Sequence, residues 1–320
     1  MIVPHVNPDG DAIGASMAIY HFFRKYCNTN VVLPSAFPDF LSWIPNAQKC
    51  INAKKDPQKA KKIIENSDLI FIIDHNAPDR SGDLESLIAD SNANKLMIDH
   101  HPNPQYPVNY EISCTQVSST CELSYNFLQS IDVNAVDKTV AECLYVGLMT
   151  DTGNFVHNVH PDTFRIVSEL IDLGIDRDNI YDKVFNNFSL ERMQLLGFAL
   201  LNRTEVIKEL GVSITSLSKE DLRKFNFQVG DSEGFVNVML SAAEVKSSIL
   251  ILEKDHEIKL SFRSKAEIPI NTIAVKYFSG GGHRNAAGGS QQGMSLDETI
   301  LKLKKVLNEE QHLLTNNPIL

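Results

Sequence analysis

Leu69-Ile70-Phe71-Ile72-Ile73 is an unbroken apolar run that ends on a carboxylate, Asp74. A strand with no polar residue on either face needs both faces covered, which is the situation inside a parallel sheet with helices on each side. Ile2-Val3-Pro4 and the segments 31–33 and 96–98 are shorter strand candidates. Between them, 11–26 carries Ile13, Met17, Tyr20 and Phe23 at helical spacing, and 60–65 and 84–89 also read as helix. Strand alternating with helix predicts an α/β domain built on a parallel sheet.

Ser118-Ser119-Thr120 ahead of Glu122 has the acceptors and the acid of a helix N-terminus. Helices are expected over 137–150 and over 162–173, the latter stopped by Gly174, and 189–202 reads as a helical connector. Beyond it the texture changes. Segments 212–217, 249–252 and 258–262 alternate as antiparallel strands do, and 296–307 closes the chain as a helix. The expected organisation is an N-terminal parallel-sheet domain over 1–187, a helical connector over 188–204, and a smaller α/β domain over 205–320 with a mixed or antiparallel sheet. No internal repeat or low-complexity tract is present.

Composition narrows the function classes. With 43% hydrophobic and 22% charged residues in 320, the chain reads as globular with room for two cores. No apolar stretch is long enough for a bilayer, and no basic-then-apolar leader precedes the first strand. Five scattered cysteines argue against a disulfide framework. A cytoplasmic location and no membrane partner are expected. The net charge of −10 and the lack of a basic stripe argue against tracking long duplex nucleic acid. A small anionic substrate, gripped locally, fits better.

The chemistry gathers where apolar segments break. His5 closes the first strand, and Asp9 and Asp11 follow in the next turn. Asp74 closes the second strand; Asp99, His100 and His101 close the third; Asp151 ends a helix. In an open parallel sheet these positions converge beyond the carboxyl ends of the strands. An Asp before a helix is often only an N-cap, which would account for Asp11 or Asp74 singly. It does not account for the whole set at one sheet edge. Hard oxygen donors mixed with imidazole suit Mn²⁺, Mg²⁺ or Zn²⁺. Four aspartates in one pocket repel unless protonated or neutralised, and two divalent cations would cancel their charge.

A second signal is the run from Gly280, Gly281 and Gly282 through His283 and Arg284 to Gly288 and Gly289. Successive glycines allow backbone amides to face one anion, although a plain turn uses the same residues. Arg263, just upstream, could offer a guanidinium fork to a phosphate.

His5-x-x-x-Asp9-x-Asp11, Asp74, Asp99-His100-His101 and Asp151 together resemble the motifs of the DHH phosphoesterases, and Gly280 to Gly289 resembles the glycine-rich motif of their DHHA1 domain. His5-Val6-Asn7-Pro8-Asp9-Gly10-Asp11 with Glu233-Gly234-Phe235-Val236-Asn237 is most similar to the nano-RNase branch, some of whose members are labelled exopolyphosphatase-related. The resemblance implies two divalent cations, Mn²⁺ foremost. One would sit on His5, Asp9 and Asp74, the other on Asp11, Asp74, His100 and Asp151, with Asp74 shared. It implies that His101 faces the reacting phosphate and that Asp99 orients a neighbouring imidazole or lies close to the metals. Arg263, Gly280, Gly281, Gly282 and His283 would grip the terminal nucleotide. Relatives carry a helix before the first strand, whereas here Met1 directly precedes it.

The implied activity is hydrolysis of short oligoribonucleotides to mononucleotides, of either polarity, with removal of the 3′-phosphate of 3′-phosphoadenosine 5′-phosphate. Alternatives are a linear dinucleotide (pGpG or pApA) phosphodiesterase, a pyrophosphatase or exopolyphosphatase, and a nucleotide-sensing module with a retired site. Short oligoribonucleotides and small nucleotides are the expected partners, and a homodimer is compatible with the sequence.

Overall fold

The structure is a computed structural model describing residues 1–315. The chain divides into two compact units, Met1–Asn187 and Phe188–Leu320. Among the described residues no helix is long and apolar enough to cross a membrane.

In the first unit, β1 (Ile2–Pro4) leads into α1 (Gly10–Phe23), then β2 (Val32–Leu33), β3 (Ile51–Asn52), α2 (Pro57–Glu65) and β4 (Leu69–Ile73). These are followed by α3 (Glu85–Ala89), β5 (Asn94–Asp99), β6 (Tyr110–Ser113) and the helices α4 (Thr120–Ile131), α5 (Lys138–Asp151), α6 (Pro161–Asp172) and α7 (Arg177–Phe185). The main sheet has the order β1-β4-β5-β6, all parallel. Val31 bridges to Ile2 on the other side of β1, where β2 pairs in parallel with β3. The connection from β1 therefore goes one way and β4 lies the other way, a topological switch point beside β1.

β4 has the expected two-sided burial. Phe71 and Ile73 join a core with Ile13 and Met17 of α1, Leu128 of α4 and Leu144 and Leu148 of α5. Ile70 and Ile72 join another with Ala60 and Ile64 of α2 and Ile88 of α3. Each fully buried Leu or Ile contributes roughly 1.5–3 kcal/mol, so the strand is fixed from both sides. α1 and α5 are buried on nearly every side. Small residues let them approach: a Cβ at Gly14 would lie 2.6 Å from the Cys143 carbonyl oxygen.

The second unit starts with α8 (Leu190–Asn202), β7 (Thr204–Ile207), β8 (Val212–Leu217), α9 (Lys219–Lys224) and α10 (Phe235–Val238). It continues through β9 (Ser247–Glu253), β10 (Ile258–Ser264), α11 (Asn271–Tyr277), β11 (Gly281–His283), β12 (Ala286–Gln291), α12 (Leu296–Glu309) and α13 (Gln311–Thr315). Its six strands order as β11-β12-β10-β9-β8-β7. The strands expected to be antiparallel include one parallel pair, β8 with β9, so the sheet is mixed. Alternation reports which residues face a core and carries no information on strand direction. One face packs Ile249, Ile251, Leu260 and Phe262 against α11 and α12. The other packs Leu250 and Leu252 against Leu195 and Ala199 of α8 and Phe235 of α10.

Candidate metal centre

The three strand-end positions of the first unit fall where the switch-point topology directs ligands. His5 follows β1, Asp74 follows β4, and Asp99 is the last residue of β5 with His100 and His101 next. Asp74 adopts a left-handed backbone, φ 60°. For a residue other than glycine that conformation costs of order 1–3 kcal/mol and persists only where surrounding contacts enforce it.

The donor atoms of His5, Asp9 and Asp74 lie within 4.8 Å of one another, and so do those of Asp11, His100 and Asp151. Asp74 stands between the two groups. Its Oδ2 is 3.5 Å from His5 Nε2, and its Oδ1 is 3.7 Å from His100 Nε2. His100 Nε2 is also 3.7 Å from Asp151 Oδ2, and His5 Nε2 is 3.9 Å from Asp9 Oδ1. These gaps exceed hydrogen bonds but lie within the ~4 Å that two donors, each about 2.1 Å from one cation, can span.

The N-cap of α1 is Asp9, whose Oδ1 accepts from the amides of Asp11 and Ala12, both at 3.1 Å. Asp11, which sequence alone could have placed as the helix start, is instead buried inside the first turn. Its two oxygens accept from the backbone amides of Thr120 (2.7 Å) and Cys121 (2.9 Å). The positive end of α4, capped by Ser119, thus points at this carboxylate. Thr120 Oγ1 also donates to Asp74 Oδ1 at 2.7 Å. Gly147 on α5 makes room: a Cβ there would lie 2.2 Å from Cys121 Sγ and 2.8 Å from Asp11 Oδ1. Gly10 is equally constrained, since its Cβ would lie 2.3 Å from Thr150 Oγ1.

Burial, then the charges of Asp74, Asp151 and Asp9, push the Asp11 carboxyl well above the usual carboxylate range. Burial, then Asp9 and Asp74, do the same to Asp151. Asp74 goes the other way. Burial opposes its charge, but the His5 ring 3.5 Å away and the nearby imidazoles of His101 and His100 hold it far below that range. Burial lowers the basicity of His100. At His5 the same burial is outweighed by Asp74 and Asp9, which raise it. Crowded carboxyls whose charge is disfavoured for want of a positive partner, beside an imidazole whose protonation burial disfavours, form a donor set that fits divalent cations.

His101 lies beside this set. Asp99 Oδ1 is 2.8 Å from His101 Nδ1, and Asp99 Oδ2 accepts the His101 amide at 2.9 Å. With Asp99 accepting at Oδ1 as it does at Oδ2, the His101 ring donates through Nδ1, and Nε2 is the nitrogen left to exchange a proton.

Some contributors were not anticipated. Thr120 was visible only as part of a helix start, and nothing local revealed that its hydroxyl reaches Asp74 from 46 residues away. His75 is fully buried. Its Nδ1 donates to the Ile73 carbonyl at 2.9 Å, and its Nε2 accepts from Ser81 Oγ at 2.9 Å, which itself lies 2.9 Å from the Tyr106 hydroxyl. This chain holds the backbone on either side of the strained Asp74. Burial depresses the His75 pKa from 6.5 to about 3, so the ring is neutral.

In the second unit, the glycine run forms a hairpin. Gly281–His283 pairs antiparallel with β12 through Gly281↔Gly288. A Cβ at Gly280 would lie 2.1 Å from the Gly288 carbonyl oxygen, and one at Gly282 (φ 135°) 2.5 Å from that of Ala286, so these glycines are required by the hairpin itself. Gly281 has open space where a Cβ would be. Arg263 lies on β10 opposite Ala286 and Ser248, and its Nη1 donates to the Phe262 carbonyl at 2.9 Å. His283 ends β11 and is exposed.

Two family profiles match. The one described as the DHH family, N-terminal domain, covers residues 1–148, and the one described as the DHHA1 domain covers residues 210–310. A solved structure, an exopolyphosphatase-related protein from Bacteroides fragilis, superposes with a TM-score of 0.94 at 39% identity, over 98% of this chain and 93% of that one. The bifunctional oligoribonuclease and PAP phosphatase NrnA of Bacillus subtilis is 26% identical over 310 residues, covering 96% of this chain and 93% of its own. The protein of the same name from Thermus thermophilus is 26% identical over 314 residues, covering 97% and 89%.

Proposed function

Since the chain belongs to the DHH family and carries a DHHA1 domain, we propose that it hydrolyses short oligoribonucleotides to mononucleotides and removes the 3′-phosphate of 3′-phosphoadenosine 5′-phosphate. The substrate class follows the activity in the names of the Bacillus subtilis and Thermus thermophilus relatives. The observation that carries the chemistry is the position of Asp74, with one oxygen toward His5 and the other toward His100.

In this reading His5, Asp9 and Asp74 would hold one divalent cation, and Asp11, Asp74, His100 and Asp151 a second, with Mn²⁺ the first candidate. Bound there, such a pair lowers the pKa of water and offsets negative charge on phosphoryl oxygens. The protein's own groups do the rest. Asp74 is held by Thr120, and Asp11 by the α4 amides, so the donors need little rearrangement. Asp99 fixes the His101 ring, and His101 Nε2 hands a proton to the departing oxygen, a role worth about 10²–10⁴-fold. Arg263 and the backbone at Gly281, with Gly280, Gly282 and His283 shaping the hairpin, take the non-reacting nucleotide.

The test is one Mn²⁺-dependent assay offering di- to pentaribonucleotides, pGpG, 3′-phosphoadenosine 5′-phosphate and pyrophosphate side by side. Mononucleotide release that stops on chelation is the expected result. Preference for pyrophosphate, or for polyphosphate added to the same assay, would instead favour the activity suggested by the label of the Bacteroides fragilis relative. No metal-dependent turnover of any of them would leave a nucleotide-sensing role.

A further inference from the structure

Among the described residues, three arginines are not fully exposed: Arg80, Arg192 and Arg263. Arg192 donates to the Glu233 carbonyl at 2.7 Å, and Arg263 to that of Phe262 at 2.9 Å. Among the described residues no carboxylate or carbonyl takes up the Arg80 guanidinium. Its nitrogens are not among the buried unpaired atoms, so water reaches them, and a half-buried guanidinium with five donors is open to an anionic ligand.

Arg80 is also fixed beside the candidate centre. Its carbonyl accepts the amide of Val6, the residue after His5, at 2.8 Å. It lies in the loop that leaves Asp74, where Ala77 O accepts its own amide at 3.2 Å. Gly82 turns this loop back at φ 55°, with Val6 Cβ 3.7 Å from where its own Cβ would be. The charge of Arg80 acts on His5 and His75 alike, each of which burial also disfavours as a cation. Beside His5 and His75 the Arg80 charge meets imidazoles that it disfavours as cations, and the carboxylates of the cluster are the donors proposed to hold metal. The Arg80 charge becomes favourable when an anion arrives.

We propose that Arg80 is a catalytic residue that grips a non-bridging oxygen of the phosphoryl group under attack. This rests on the proposed phosphoesterase reading but not on the identity of the nucleotide, because every candidate substrate presents that group. The planar fork suits two phosphoryl oxygens at once, which a lysine ammonium cannot match. It also balances charge that builds on those oxygens as the bond to the leaving oxygen breaks.

The experiment compares wild type, Arg80→Gln and Arg80→Lys on a diribonucleotide and on pyrophosphate, with inorganic phosphate as inhibitor and metal content by elemental analysis. One charge-assisted pair is worth about 1.5–3 kcal/mol, so Arg80→Gln should lose about 10–150-fold in kcat/KM. Its phosphate inhibition constant should weaken in parallel while metal content and Tm hold. Arg80→Lys should recover only part of the loss. In chelated protein, stabilisation by added phosphate should be present in wild type and reduced in Arg80→Gln. Unchanged kinetics and phosphate inhibition in Arg80→Gln overturn the proposal, and so does loss of metal together with activity. If wild type cleaves only pyrophosphate, the oligoribonucleotide reading fails, while a parallel Arg80 effect on pyrophosphate still supports the assignment.

Discussion

The buried His75 gives the centre an acid sensitivity that can be calculated. In the unfolded chain its ring takes a proton at about 6.5, and in the fold only near 3. The unfolded state therefore binds more protons throughout that window, so this group's stabilising contribution is complete above 6.5 and is lost as pH falls toward 3. At pH 5 the unfolded ring is almost fully protonated and the folded ring almost not at all. Between pH 7 and pH 5 the loss is about 2 kcal/mol, from about 1.4 kcal/mol per pKa unit. For a unit of this size that corresponds to a fall in Tm of roughly 4–8 °C. The comparison is His75→Asn, whose amide can keep the donation to the Ile73 carbonyl without a titrating ring. Both proteins are melted in chelator at pH steps from 7 to 5, and the difference between the two curves isolates His75 from carboxyls that titrate in the same range. The variant should be less stable at pH 7 by a constant packing penalty, and the gap should narrow toward pH 5. Parallel curves over the whole range would refute the reasoning.

Asp74→Asn should abolish activity and lower metal content, because one oxygen serves each donor group; retention of two metals per chain by elemental analysis would count against the shared role. His101→Ala should keep its metal and lose about 10²–10⁴-fold in turnover, measured at saturating substrate. Asp151 is raised well above the carboxylate range by burial and by Asp9 and Asp74, so its charge weakens the metal-free fold as pH rises through that raised value. Asp151→Asn should accordingly raise the Tm of chelated protein at pH 8 by a few degrees, on the order of 1 kcal/mol, while weakening metal binding. Gly147→Ala should cost about 1–3 kcal/mol by forcing Cys121 and Asp11 apart, read by thermal melting; an unchanged Tm would show that the helices relax freely. Arg263→Ala should raise KM on a dinucleotide with metal content unchanged.

Much of this molecule was written locally. The run Leu69–Ile73 required cover on both faces and received it, and the breaks after β1, β4 and β5 placed His5, Asp74 and Asp99 at one sheet edge. Helices with caps, such as α4 behind Ser119 and α5 behind Asp137, were legible because a cap and a period are neighbours in sequence. Others were not: β6 and the glycine-rich β11–β12 hairpin lack an apolar pattern, α7 buries only Ile180 and Val184, and the parallel pairing of β8 with β9 depends on a crossover.

What the tertiary structure alone decided is how the donors are held. Sequence supplied the carboxylates and imidazoles, because a residue type carries its own ligand chemistry. It could not show that Thr120 and Cys121 would turn a helix end onto Asp11, or that Gly147 would clear the space. Nor could it show that the loop after Asp74 would bring Arg80 back beside Val6 and His5. Those contacts join residues far apart along the chain, and their energies depend on burial and on angstrom-scale approach, which exist only once the helices and sheet have packed.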